Sequence, residues 1–200
     1  MKYVLAALLL LLPADVGAQS SEELAAQDLR LARIADAMLV GNSRLCRQTM
    51  PVTGMILHSA DQYGDGAQAL FANGPLAIAQ VVPDSVADQA DLRAGDSIAA
   101  INGTPVAHLN PQGEDHLREL AFFLLADTAV SEPVALTVVR GEEVLMINFS
   151  APRGCRSLVE ILVADGPNAR SDGRVIQLQY DFATSLSDEQ MAVVLAHELA

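Results

Sequence analysis

Lysine is almost missing: Lys2 is the only one in 200 residues, and every other basic side chain besides histidine is an arginine. A lysine Schiff base and the lysine of a phosphate-binding loop are therefore excluded from the body of the chain. Positive charge as a whole is scarce, with 12 Lys plus Arg against 25 Asp plus Glu and a net charge of -13. That balance repels nucleic-acid phosphates and anionic lipid, so no nucleic-acid partner is expected. The chain also has no glycine-rich phosphate loop, no GxSxG nucleophile elbow and no CxxC pair. Apolar residues are plentiful at 51%, with 18% charged, which suits a buried core in one or two domains and excludes a disordered segment.

No apolar run is long enough to span a bilayer. Residues 4–12 are continuously apolar, but as a helix they rise only about 14 Å, well short of a membrane span. Lys2 before this run, Pro13 after it and the small-residue pattern Val16-Gly17-Ala18 read as a secretory signal peptide, residues 1–18, with cleavage after Ala18. No cysteine follows that junction to carry a lipid, so a periplasmic or secreted protein without a stable membrane anchor is expected. In an oxidising compartment the two cysteines, Cys46 and Cys155, read as a disulfide. It would bracket a middle segment, a natural place for an inserted domain to leave and rejoin its host.

Ser20 and Glu23 form a capping box, and Leu24, Leu31, Ile34, Ala35 and Met38 continue at near-helical spacing to Gly41. Residues 42–70 are broken by Pro51, Gly54, Gly64 and Gly66 and support only short strands around Met55-Ile56-Leu57; His58 there reads as structural. From Gly74 the texture is that of a small β domain. PLAIAQVV, the turn Pro83-Asp84-Ser85, a short helix, AGDSIAAINGTPV, a helix from Glu114 and Asp115 through Leu124, and a hairpin over 134–150 turning at Arg140-Gly141-Glu142 follow in order. His108 and His116 read as surface or groove-lining residues.

That order, with Pro83-Asp84-Ser85-Val86-Ala87, Ala90, Leu92, Gly95-Asp96, Ile98, Ile101-Asn102-Gly103 and Val106, resembles a PDZ domain of the bacterial type. Asp91 stands where the family usually has glycine, and aspartate tolerates the left-handed backbone better than most residues. The resemblance implies a peptide groove along the strand Leu76–Val82 beside the helix Glu114–Ala126. Gly74, Pro75, Leu76, Ala77 and Ile78 would be its lining, and peptides or proteins its partners.

A second capping box, Ser187-Asp188-Glu189-Gln190, opens a helix in which His197 and Glu198 begin an HExxH pattern whose second histidine would fall at residue 201. Together with Asn168-Ala169, Gly173 and Val175-Ile176, the segment Val194–Ala200 resembles the HtpX-like and BepA-like zinc metallopeptidases. By that resemblance zinc is the cofactor, His197 a metal ligand and Glu198 the general base. Gly173, Arg174, Val175 and Ile176 would belong to the edge strand that pairs with substrate. The expected fold is α+β: a signal peptide (1–18), an N-terminal helix with the first part of a peptidase domain (19–66), an inserted PDZ-like domain (67–151) and the edge strand and active-site helix (152–200). The expected activity is that of an exported zinc metalloendopeptidase, as in envelope protein quality control. These 200 residues would be an inactive fragment without the complete metal site. The alternative is a non-enzymatic periplasmic PDZ peptide-binding protein.

Overall fold

The computed structural model describes residues 16–63, 69–113, 116–163 and 166–199. Most of the expected signal peptide, the helix entrance at Glu114 and Asp115, and Ala200 lie outside the described residues. The elements are α1 (Val16–Gly41), β1 (Thr49–Pro51), β2 (Met55–Ser59), β3 (Leu76–Val81), α2 (Val86–Gln89), β4 (Ser97–Ile101), β5 (Thr104–Pro105), α3 (Leu117–Ala126), β6 (Val134–Arg140) and β7 (Glu143–Phe149). They continue with β8 (Arg153–Cys155), β9 (Leu158–Leu162), β10 (Ala169–Ser171), β11 (Val175–Gln179), α4 (Tyr180–Ser185) and α5 (Asp188–Leu199). Helix α1 starts ahead of the expected capping box, so Ser20 stands inside the helix and not at its cap. No described helix is long and apolar enough to cross a membrane.

The β-rich unit is a sheet ordered β2-β3-β4-β6-β7, with β5 beside β4. Strand β6 shows why one face is dry: Val134, Leu136 and Val138 are buried at alternate positions, and they meet Leu76, Ile78, Ile98 and Ile101 from the sheet and Leu117, Ala121 and Leu125 from α3. Its turns follow the expected chemistry. Asp91 takes a left-handed backbone at φ 58°, and Asn102 and Gly103 turn β4 into β5 at φ 48° and 78°. Asp96, 1% exposed, accepts the Arg93 N–H at 2.9 Å and two guanidinium N–H groups of Arg140 at 2.7 Å, which fastens the turn before β4 to the end of β6.

The sheet takes in Met55–Ser59, so the β-rich unit begins before residue 67, where the sequence placed its boundary. Segment 42–70 carries several glycines, and its strand β2 is five residues long without alternation, whereas its pairing partner β3 lies across a long connection; local pattern does not reveal such a strand.

The flanking unit has a three-stranded sheet, β10-β11-β9, against α1, α4 and α5. Leu31 and Ala35 of α1 pack on Ile176, Leu178, Ala183, Met191 and Leu195. The second capping box is formed: Ser187 N–H donates to Gln190 Oε1 at 2.8 Å and Gln190 N–H donates to Ser187 Oγ at 3.3 Å. Strands β1 and β8 run antiparallel where the chain leaves and rejoins this unit, and Cys46 and Cys155 are joined by a disulfide with Cα atoms 5.5 Å apart. A disulfide is consistent with an extracytoplasmic location.

Candidate functional site

Strand β2 is held at both ends. At its start Gly54 has φ 80°, and a Cβ there would lie 2.3 Å from Ser85 Cβ, so only glycine lets the chain pass this close to the start of α2. The Thr53 and Gly54 carbonyls accept from Ala87 N–H at 3.1 Å and Val82 N–H at 2.8 Å. At its end Ser59 Oγ accepts Arg118 N–H at 3.1 Å, and Asp61 Oδ2 accepts Leu117 N–H at 2.8 Å. Those amides belong to the first turn of α3, which has no helical carbonyl to bond. The end of β2 thus caps α3 and sets the helix alongside the strand. Because β2 pairs only with β3, its other edge is without a ladder partner among the described residues.

Beside that edge lies a cavity of about 570 Å³. Strand β2 and α3 wall one side, and α1 and the outermost strand of the flanking sheet, β9, wall the other. Across it Arg118 of α3 pairs with Glu160 of β9, which also accepts from the Gln177 side-chain amide. Glu160 is 6% exposed, so the pair is largely out of water. Burial pushes the Arg118 guanidinium below its ordinary range, while the charges of Glu119, Asp28, Tyr63 and Asp61 hold it up.

From α1, Asp28 points between the two strands. Its carboxylate faces the Ile161 N–H of β9 and lies 3.6 Å from His58 Nε2 of β2. Burial raises Asp28 to about 6, against the lowering effects of Arg118 and that N–H, and burial also lowers His58 to about 4, so the imidazole is neutral at pH 7. Nδ1 of that ring meets the Tyr63 hydroxyl. Two turns along α1, Asp36 is also raised to about 6 by burial alone.

The structure redistributes the residues expected to form sites. Leu76, Ala77 and Ile78 are fully buried, and β3 runs between β2 and β4. That strand has no edge to offer, and Gly74 and Pro75 precede it in a loop whose Pro75 carbonyl accepts Ala60 N–H. The open edge beside α3 is β2, one strand over, and its sequence signal is the apolar run Met55-Ile56-Leu57 after Gly54. Likewise β11, with Val175 and Ile176, pairs on both sides, and Gly173 and Arg174 sit in the turn before it. It is therefore no edge strand for substrate. Arg174 instead stacks over the Phe123 ring of α3 at 4.0 Å, tying the two units together. His197 is exposed and Glu198 half-buried in the last turn of α5, and no group of three His, Cys, Asp or Glu side chains converges as a metal site among the described residues. Sequence reading missed Asp28, Asp36, Arg118 and Glu160, because only the topology turns these charges inward.

Residues 78–140 match the PDZ domain family, and the chain contains a PDZ domain there. No curated protein matches the chain. Among solved structures, the HtrA3 PDZ domain bound to the phage-derived ligand FGRWV is 21% identical over 53% of this chain and 89% of its own, with a TM-score of 0.37. The HtrA-type protease AlgW with a decapeptide is 20% identical over 54% of this chain and 30% of its own (TM-score 0.38). A PDZ domain protein from Parabacteroides distasonis is 19% identical over 62% of this chain and 22% of its own (TM-score 0.39). The chain thus spans under a third of the two longer proteins.

Proposed function

We propose that this protein binds extended peptide segments in the groove between β2 and α3. The observation that carries the reading is the unpaired edge of β2 held beside α3 and opening on a cavity. A strand edge offers a regular row of backbone donors and acceptors, so an extended chain gains main-chain hydrogen bonds regardless of sequence, and the adjoining walls select side chains. The matching experiment uses the whole chain and labelled peptides N-methylated at alternate residues. In one of the two alternating patterns the methyl groups replace the amides facing β2, and binding should weaken by about tenfold or more, the loss of one or two hydrogen bonds. In the other pattern affinity should hold. Equal affinity for both patterns would remove strand addition as the mode.

A second reading is that α5 is the metal-site helix of an exported zinc endopeptidase, and that residues 1–18 direct its export. What favours it is the formed capping box that starts α5 and the burial of Met191 and Leu195, which leaves His197 on the outer face. One histidine with an adjacent glutamate does not fit a zinc ion, which takes three protein ligands in catalytic sites, so no catalytic step is assigned to these residues. In a chain extended past Ala200, about one zinc per chain and a chelator-sensitive peptidase activity are expected. Glu198→Gln in that protein should retain the metal and lose turnover. Absence of bound zinc in the extended chain rules this reading out and leaves the peptide groove untouched.

A further inference from the structure

The groove has a second wall that the PDZ fold does not supply. Helix α1 lines the cavity with Leu24, Asp28, Ala32 and Asp36, residues spaced by four and therefore on one helix face. The small Ala32 between the two acids leaves room for a side chain to lie across the helix. Asp28 already lies against a neutral imidazole, and Asp36 has no hydrogen-bond or ion-pair partner among the described residues. Of the two arginines that line the cavity, Arg118 is committed to Glu160 and Arg170 donates to the Gln177 side-chain carbonyl. A half-buried carboxylate left without a partner on the cavity wall asks for a ligand that brings a cation. An extended peptide with a basic side chain does so, and the net charge of -13 favours its approach.

We propose that the groove selects extended peptides bearing a lysine or arginine whose side chain lies against Asp36 of α1. The specificity is then composite: the PDZ unit holds the backbone, and the flanking helix reads the side chain. An acidic side chain at that position meets Asp36 and Asp28 and is rejected by like charge. This rests on the peptide-groove reading, and the two are separable by experiment.

The probe is a set of labelled, end-capped seven-residue peptides of alanine and valine, with lysine, norleucine or glutamate placed at each position in turn, titrated against the whole chain by fluorescence polarisation. At one position lysine should bind about tenfold tighter than norleucine, with glutamate weaker still, the scale of a desolvated charge pair. In Asp36→Asn the lysine advantage should fall to within about threefold, while the norleucine peptide keeps its affinity. Asp36→Ala, which removes the carboxylate and its volume together, should show the same collapse, and thermal unfolding of each variant reports that the fold is intact. Equal binding of lysine and norleucine peptides at every position, or a lysine advantage that survives both substitutions, overturns the proposal but leaves peptide binding standing. If none of the peptides binds, the groove reading itself falls and the selectivity with it.

Discussion

Replacing both cysteines, Cys46→Ala with Cys155→Ala, should lower the unfolding free energy by about 4 to 5 kcal/mol, read as a lower urea midpoint than that of the oxidised protein. The bridge spans 109 positions of sequence, and in chain-entropy models a closed loop of that length restricts the unfolded chain by about this much. The full value requires that both units unfold together. Were the β-rich unit to stay folded while the flanking unit opened, β1 and β8 would still be close, the effective loop would be short, and the loss would fall to about 3 kcal/mol or less. A single transition is expected because a shared cluster joins the units at the bridge: Leu39, Met50, Val52 and Ala126 pack around Cys155. Unchanged midpoints in the double variant would show that the bridge does not form or that the unfolded chain remains compact.

What the sequence made legible follows from the range of the interactions involved. The β4–β5 turn at Asn102-Gly103, the left-handed Asp91, the β6–β7 hairpin and the capping box at Ser187 are all set by residues within a few positions of one another. Each of those can be read from spacing alone. The groove could not be read in this way. Strand β2 becomes an edge only because β3 pairs with it across residues 60–75, and neither Met55 nor Leu57 announces which of two neighbouring strands lies outermost. The sequence put the open edge at β3, one strand in from β2. The flanking sheet repeats the lesson: Val175 and Ile176 are a convincing strand, yet its place in the middle depends on β9, a parallel partner seventeen residues back by register, Ile176 opposite Val159. The charged lining is less legible still, since Asp28 and Asp36 on a surface helix look solvated and only the approach of β2 and β9 removes their water.

The same topology makes Arg118 the side chain whose loss should be felt most among the charged residues. Arg118→Met should destabilise the fold by about 3 to 5 kcal/mol, because it leaves the Glu160 carboxylate buried with only the Gln177 amide as side-chain partner. Methionine keeps most of the volume, so the loss is electrostatic and not a cavity. Glu160→Gln should cost less, roughly 1 to 2 kcal/mol, because the guanidinium left behind still faces the negative potential of Asp28, Asp61 and Glu119 and the glutamine can accept one of its N–H groups. The double variant should recover part of the larger loss, giving a coupling of roughly 2 kcal/mol in a double-mutant cycle by urea unfolding. The order of the two single variants is the discriminating result. It follows from which charge is left alone: Arg118 is the one ion-pair partner of Glu160 among the described residues, whereas the arginine sits among acids. Arg118→Met within about 0.5 kcal/mol of the parent would mean that water reaches Glu160, and that α3 and β9 are not the closed walls of a single groove.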